Sequence, residues 1–387
     1  MKWQRQGFRI PACDVVVIGG GITGCATAHH LANAGIDVVI LERSELNTQA
    51  SGRNAGSLHG QIQYEPFVCL GEQWAREFLP ALRLLVDSVG LWRTLSSQLG
   101  VDLEVAINGG LIVAETHDQL ERLRRKAAIE RAAGFDVEVL DQAQLRDVAP
   151  YVSPRMVGAQ LARDEGKANS LLAAPAFAAS ARRAGGRVLT RTGVTGVSTR
   201  AGGFTVSTSR GQLDCARLVV TTGADLATLV APFGATLPIT AEPVQVSVTE
   251  PVAPLVHHLV YFAGGRLTMK QTRAGSLLIG GGWPADADQE GNPVVSPASL
   301  RANLRLATAV VPAVHHALLL RSWVGVGNGT PDHRPIIGEI PGTEGLFVGM
   351  FPFMGLTAGP LMGQLLAELV QDHPVDRDLT SFAPQRF

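Results

Sequence analysis

Lysine is nearly missing from this chain: Lys2, Lys126, Lys167 and Lys270 are all it has in 387 residues. Net charge is −1 and no block of like charges occurs, which leaves no basic surface for nucleic acid and no polybasic contact for a membrane. Cysteine is equally scarce. Cys13, Cys25, Cys69 and Cys215 are scattered without CxxC spacing, which excludes a zinc knuckle or an iron–sulfur cluster and fits a reduced, cytoplasmic setting. The polar, basic opening from Met1 to Ala12 lacks the apolar centre of a secretory signal. No apolar run approaches the ~18 residues of a spanning helix. The pairs His29-His30, His257-His258 and His315-His316 have no acid at helical ligand spacing, so no metal site is expected. What is present is apolar: 46% of residues against 17% charged, enough for a sizeable core in two domains or one interleaved pair.

The richest stretch runs from Asp14 to Glu42. The apolar run Val15-Val16-Val17-Ile18 leads into Gly19-Gly20-Gly21-Ile22-Thr23-Gly24. A helical pattern follows, with Ala28 and Leu31 on one face and Gly35 at its end, and a second apolar run, Val38-Val39-Ile40-Leu41, stops at Glu42. Strand, glycine loop, helix, strand and acid in that order suit an adenosine diphosphate moiety. Gly19 allows the turn out of the strand, Gly21 lets backbone approach the pyrophosphate, and Gly24 lets the helix sit close to the sheet. The helix N-terminus supplies N–H donors and a partial positive charge. Glu42, 23 residues after Gly19, can accept from both ribose hydroxyls and disfavours a 2′-phosphate.

Beyond Glu42 comes a small-residue loop, Ser51-Gly52-Arg53-Asn54-Ala55-Gly56-Ser57-Leu58. One or two helices are expected over 67–99 and a strand pair over 104–115 turning at Asn108-Gly109. Helices are expected at 117–133 and 142–148. A helix over 171–184 ends at Gly185-Gly186. Short strands follow at 187–190, 193–198 and 204–209, then the run Leu218-Val219-Val220-Thr221-Thr222-Gly223-Ala224, a strand of the kind that returns to a nucleotide-binding sheet. From Val244 to Val326 the texture is antiparallel, with a hairpin of 267–272 and 276–281 around Ala274-Gly275 and a helix over 298–310. The tail returns to strand and glycine-rich turn, with a last helix over 362–370. The layout is interleaved: a dinucleotide domain in three pieces, with an antiparallel domain made by two insertions.

These residues together resemble the D-amino-acid oxidase-like (DAO) superfamily of FAD-dependent oxidoreductases, over nearly the whole chain. The resemblance is carried by Gly19-x-Gly21-x-x-Gly24 with Glu42-Arg43, the Ser51–Gly56 loop, the Val220–Ala224 return, Thr330-Pro331-Asp332-x-x-Pro335-Ile336-Ile337-Gly338, and Gly349 through Gly355. Ser51 to His59, Glu165 to Asn169 and Lys270-Gln271 through Pro284 look most like the FAD subunit of opine oxidases and D-hydroxyproline dehydrogenases. Glycine oxidase and D-amino-acid dehydrogenase are close likenesses as well. The fold implied is α/β, α+β overall: a discontinuous Rossmann-like FAD-binding domain (13–90, 155–240 and 330–375) with an inserted antiparallel-sheet substrate domain (91–154 and 241–329). Glycine-rich turns at the start, at Gly223 and at Gly349–Gly359 agree with one long cofactor gripped along its length. There is no second GxGxxG for a separate NADPH site.

By this resemblance, Gly19, Gly21, Ile22, Thr23 and Gly24 meet the pyrophosphate, and Glu42 and Arg43 hold the adenosine ribose and its surroundings. Ala50, Ser51 and Ala55, Gly56 and Ser57 line phosphates and flavin, with Arg53 serving that loop. Val194 meets the adenine through its backbone, and Gly223 lies in the returning turn. Phe353, Met354, Gly355, Leu356 and Thr357 approach the flavin ring. No cysteine follows Cys215, so the closing turn has no thiol for a covalent link, and FAD is expected to be non-covalent.

The implied reaction oxidises the C–N bond of an amino acid, imino acid or opine by hydride transfer to flavin N5, giving an imine that hydrolyses. The flavin does the difficult step, so no catalytic acid–base residue is singled out. An anionic substrate calls for an arginine fork. Glycine-oxidase-like members carry one after the Trp-x-Gly strand and another in the closing turn; here those positions are Gly327 and Phe353. Substitute substrate-site candidates are Lys270, on a strand face with Thr268 and Thr272, together with His59, Gln61 and Tyr261, and with Phe353 and Met354 of the closing turn. The expected partners are the small amino or imino acid and, by resemblance, other subunits of a hetero-oligomeric dehydrogenase. Two alternatives stay open: an oxidase using oxygen, and a non-catalytic FAD subunit that relays electrons.

Overall fold

Two apolar runs, one closed by Gly19 and one by Glu42, open the first sheet. In the computed structural model, which describes residues 9–387, the chain divides into two compact units. Most of the Met1–Ala12 stretch, Met1 to Phe8, lies outside the described residues. The first unit takes the described residues up to Gly52, Leu171–Ala241 and Asn328–Phe387; the second takes Arg53–Ser170 and Glu242–Gly327.

In the first unit the strands Cys13–Ile18, Val38–Leu41, Arg187–Leu189, Gly211–Val220 and Leu346–Met350 run parallel. Cys13–Ile18 lies between Val38–Leu41 and Gly211–Val220, with Val16 opposite Val39 on one side and Leu218 on the other. Ile336–Glu339 closes the edge antiparallel, and the hairpin Val194–Arg200/Gly203–Thr208 extends from Gly211–Val220. Buried on both faces, residues 15–18, 38–41, 218–220 and 346–350 read as continuous hydrophobic runs. Val16, Val17, Val38, Val39 and Ile40 are fully buried, each side chain contributing roughly 1.5–3 kcal/mol.

Two helices pack side by side against this sheet. Ile22–Asn33 follows the first strand, and Gly355–Val370 closes the chain. A Cβ on Gly359 would lie 2.5 Å from Ile22, and one on Gly363 would lie 2.4 Å from the Ala26 Cβ and 2.7 Å from the Thr27 nitrogen. The matched four-residue steps mean that the helices run parallel, their N-termini at one end. The last helix thus begins at Gly355 and not at 362, with Pro360 inside it. Close helix packing through two glycines outweighs the break that proline suggests locally.

The second unit is built on a sheet in the order Leu319–Gly329, Thr240–Pro251, Ser276–Pro284, Gly265–Gln271, Leu259–Phe262, Gly110–Ala114, Gly158–Ala162, Val137–Asp141. The hairpin at Ala274-Gly275 forms as expected. Most pairs are antiparallel, but Leu259–Phe262 runs parallel to Gly110–Ala114. The expected strand pair over 104–115 does not form. Ala106 bridges to Lys167 and the Gly109 N–H donates to the Glu165 carbonyl, so only Gly110–Ala114 joins the sheet. Residues 53–90 and 155–170, expected in the nucleotide domain, group with the second unit. Ser57–Leu58 pairs with Gly166–Lys167, and the long helix Tyr64–Leu99 packs on His117–Ala132. The helix Tyr64–Leu99 is kinked where Gly71 leaves helical geometry.

Candidate functional site

The nucleotide cradle of the first unit is made by the glycine loop. Gly19 takes φ +114, and a Cβ there would lie 2.8 Å from the Thr221 carbonyl oxygen; one on Gly24 would lie 2.1 Å from the Gly19 carbonyl. The turn therefore closes only with glycine at both positions. Gly21 differs: a Cβ there would meet the Ser51 Oγ at 3.0 Å and otherwise open space, and one on Gly355 would meet nothing. Neither the Ile22–Asn33 helix nor the Gly355–Val370 helix has a side-chain cap or an acidic first turn. Ser51 Oγ accepts from the Ile22 N–H at 3.0 Å. That bond takes one first-turn donor; the other backbone donors and the positive ends of the two N-termini, neither capped by its own N-cap side chain, are presented side by side to an anion.

Glu42 is fixed by its backbone surroundings. Its Oε2 accepts from the Gly20 N–H and its Oε1 from the Ser44 N–H, both at 2.8 Å. A carboxylate has about four acceptor positions, so others remain for two ribose hydroxyls. The Thr192 N–H donates to the Glu42 carbonyl at 2.8 Å, which brings Val194, two residues on, into the same corner. Arg43 is half exposed and pairs with Asp225 at 2.9 Å. Gly223, with φ +62, opens the short turn after Val220. In the closing turn Phe353 holds φ +57, donates its N–H to the Asn328 carbonyl at 2.9 Å and stands ring to ring with His333. Met354, Leu356 and Thr357 are buried behind it. An open glycine flank, two helix N-termini side by side and a fixed acid fit the adenosine diphosphate half of FAD.

The second unit carries the remaining candidates. Asn54 Oδ1 accepts from the Gly56 N–H at 2.8 Å, and the Gly56 carbonyl accepts from the Ala168 N–H at 2.9 Å. Ala55 is buried beside them. Ala50 and Ser51, still in the first unit, begin the helical turn Ala50–Arg53. The Arg53 guanidinium reaches the Val324 carbonyl, and its own carbonyl accepts from Trp323 Nε1 at 2.7 Å. Lys270, on the central strand Gly265–Gln271, is only 1% exposed. Among the described residues its one hydrogen bond is donated to Ser57 Oγ, and no carboxylate pairs with it. Burial, then the charge of Lys167, pulls its ammonium down to about 7, while Glu165 opposes that shift. An ammonium sealed in this way is costly unless an anion joins it. Lys167 donates to the Gln271 carbonyl.

His59, Gln61 and Tyr261 come together on Glu165, which sequence reasoning had left without a site role. Glu165 Oε1 accepts from the Gly60 N–H at 2.9 Å and the Tyr261 hydroxyl at 3.1 Å; Oε2 accepts from Gln61 Nε2 at 2.7 Å. Tyr261 also lies 2.7 Å from His59 Nδ1. Burial raises the Glu165 carboxyl to about 7. The same burial, with Lys270, lowers the His59 imidazole to about 3, so it stays neutral. Behind Gln61 lies a second unforeseen group. Lys126 and Glu130, both fully buried, pair at 2.9 Å, and Gln160 Nε2 bridges Glu130 (2.6 Å) to Gln61 (3.1 Å). One signal was present: Lys126 and Glu130 share the apolar stripe of Leu123 and Ala127, a face on which solvated charges do not belong.

The family model for FAD-dependent oxidoreductases, DAO, matches residues 14–369. The glycine oxidase of Geobacillus kaustophilus is 28% identical over 382 residues, covering 96% of this chain and 97% of that protein. The crystal structure of glycine oxidase from Geobacillus kaustophilus superposes with a TM-score of 0.86 at 25% identity, covering 98% and 99%. The beta chain of sarcosine oxidase from Rhodobacter capsulatus is 28% identical, covering 92% of this chain and 84% of that one. An opine oxidase subunit of Rhizobium meliloti is 25% identical, with 97% of each chain covered. With a nucleotide cradle fitted to FAD and a family match over nearly its whole length, this chain belongs to the DAO family of FAD-dependent oxidoreductases.

Proposed function

We propose that this protein oxidises the C–N bond of a carboxylate-bearing secondary or primary amine: an opine, a cyclic imino acid or a related D-amino acid. The observation that carries the reading is Lys270, a buried ammonium with a single hydroxyl partner among the described residues, in a chain that lacks both arginines of glycine-oxidase-like members. The relatives named for glycine, sarcosine and opine oxidation support the class.

When bound, FAD supplies a two-electron acceptor for the hydride on the carbon that carries the amine. The chain's own residues do the rest. The glycine loop and the two helix ends hold the diphosphate, and Glu42 holds the ribose. Lys270 binds the substrate carboxylate as a point charge, without the planar fork that fixes a carboxylate bidentately, so a bulky substrate is accommodated as readily as a small one. The coenzyme is non-covalent. Electrons pass to partner subunits, a reading supported by the two relatives that are themselves named as subunits.

The test is anaerobic reduction of the flavin, followed at roughly 450 nm, with octopine, nopaline, D-hydroxyproline, L-proline, sarcosine, glycine and D-alanine. Bleaching by an opine or imino acid, with little peroxide formed in air, is expected. Rapid peroxide formation by the chain alone would favour an oxidase. No bleaching by any amine, in a protein that dithionite reduces, would leave an electron-relay subunit.

A further inference from the structure

The motif Thr330-Pro331-Asp332-x-x-Pro335 has no task in the cradle or the reaction described above, yet two arginines converge on it. Its turn is closed from within. The Thr330 hydroxyl donates to the Arg334 carbonyl at 3.0 Å, and the His333 N–H donates to the Thr330 carbonyl at 3.1 Å. The Asp332 carboxylate accepts from the Arg334 N–H and Nε, each at 3.0 Å. Arg386 joins from the short helical turn Pro384–Arg386, 54 residues along the chain from Asp332. Its Nε donates to Asp332 at 3.0 Å, its Nη2 to the Arg334 carbonyl at 3.0 Å and its Nη1 to the Phe382 carbonyl at 2.9 Å. The guanidinium also lies over the Phe387 ring, 4.3 Å from its centre. Only 11% of the Arg386 side chain is exposed, far from the solvated state usual for arginine. The segment around it is seated on the strand Ile336–Glu339: Phe382 and Pro384 are buried, and a Cβ on Gly338 would lie 3.2 Å from Pro384 Cδ.

The turn carries one member of a strained pair. His333 holds φ +58 and Phe353 φ +57, both in the left-handed region, and their ring centres are 5.2 Å apart. Residues other than glycine keep that backbone only where their surroundings fix it. Phe353 is tied through its N–H to the Asn328 carbonyl, and His333 lies between Asp332 and Arg334, the two residues that Arg386 grips. Two residues beyond Phe353, Gly355 opens the helix whose N-terminus stands beside that of Ile22–Asn33. We infer that Arg386 is a positioning residue for the coenzyme: it locks the Thr330–Pro335 turn in the shape that sets His333 against Phe353, and so fixes the closing turn at the helix end that holds FAD. The inference rests on the reading of the two helix ends as the FAD cradle. Arg386 acts through His333 and Phe353. A guanidinium suits this task better than an ammonium, because its planar fork reaches a carboxylate and two carbonyls at once. Burial opposes the charge on Asp332, but the bond from Arg386, and then those of Arg334, hold its carboxyl below the usual range, so the link is ionic at neutral pH.

The test compares the FAD-loaded wild type with Arg386→Lys, Arg386→Met, His333→Asn and the double variant Arg386→Met/His333→Asn. FAD affinity is read from the fluorescence of released flavin, and stability from urea unfolding. Arg386→Met leaves Arg334 on Asp332, so it should fold and bind FAD about tenfold more weakly, the scale of one hydrogen bond to a charged group. Arg386→Lys keeps the charge beside Asp332 without the fork and should fall between the two. Asparagine accepts the left-handed backbone at position 333 and deletes the ring, so His333→Asn should weaken FAD binding to a similar degree. Both changes act through one contact, so the double variant should bind FAD about as well as the weaker single one, whereas independent losses would multiply to about a hundredfold. Multiplied losses, or an Arg386→Met protein that binds FAD as tightly as wild type, would overturn the inference. A role in folding alone would lower the urea midpoint and leave FAD affinity unchanged, which overturns it as well. Should Arg386→Met fail to fold, Arg386→Lys with His333→Asn carries the same comparison. Failure of wild type to bind FAD is a distinct result, which would overturn the cradle and this inference with it.

Discussion

Replacing Lys126 by Met should be among the most damaging single changes in the second unit. Glu130 is fully buried, and its four short contacts are two from Lys126 (2.9 and 3.0 Å), one from the Ile62 N–H (2.7 Å) and one from Gln160 (2.6 Å). Methionine matches the lysine stem but removes the only cation among these partners, leaving a carboxylate held by two neutral donors. Breaking one side of such a pair costs roughly 3–5 kcal/mol, most of it the penalty of the stranded charge. The double variant Lys126→Met/Glu130→Gln removes that charge while the new amide oxygen still accepts from Ile62. The Gln160 bond must then rearrange and the long Lys126–Gln61 bond (3.3 Å) is lost, so the double change should cost about 1–2 kcal/mol and be more stable than the single one. Urea unfolding of the FAD-loaded proteins, followed by circular dichroism, measures both. A Lys126→Met variant within about 1 kcal/mol of wild type, or a double variant less stable than the single, would refute the reasoning.

Gly363→Ala should destabilise the first unit by about 1–3 kcal/mol, because its new methyl meets Ala26 at 2.4 Å and the backbone of Thr27 at 2.7 Å; Gly355→Ala, whose Cβ meets nothing within 4 Å, should leave unfolding unchanged yet weaken FAD binding, and titration with FAD separates the two. Lys270→Met should raise KM for a carboxylate substrate about 10- to 150-fold, the equivalent of the ~1.5–3 kcal/mol of a hydrogen bond to a charged group, with a smaller effect on kcat. Lys270 is charged below about 7 and neutral above it, so wild-type KM should climb as pH rises through that value while the Lys270→Met KM stays flat.

How much of this was legible depended on whether the deciding contacts were local. The glycine loop, the helix behind it and Glu42 are set by neighbours within a few residues, so their spacing announced the cradle. The glycine at 134 similarly marked the end of the helix His117–Ala132. The start of the last helix was hidden because Pro360 reads as a break, and only the approach of Ile22 and Ala26 to Gly359 and Gly363 explains why the helix holds. Asn108-Gly109 has hairpin chemistry, yet the strand there found Lys167 and Glu165, far along the chain, as its partners. Glu165 is a common surface residue whose burial is decided by tertiary packing alone, while Lys126 and Glu130 left one local signal, their place on the apolar stripe of Leu123 and Ala127. Lys270 was read as a candidate from its scarcity and strand position, but its enclosure belongs to a central strand that no local pattern could reveal.

The central claim, that the opening loop of the first unit holds the coenzyme, is tested most directly by titrating FAD into wild type and Gly21→Val. The substituted side chain would fill the open flank beside Ser51 that the diphosphate requires. The account predicts saturable binding by wild type and loss of binding by a variant that unfolds at the same urea concentration. Equal FAD affinity in the two proteins would contradict it.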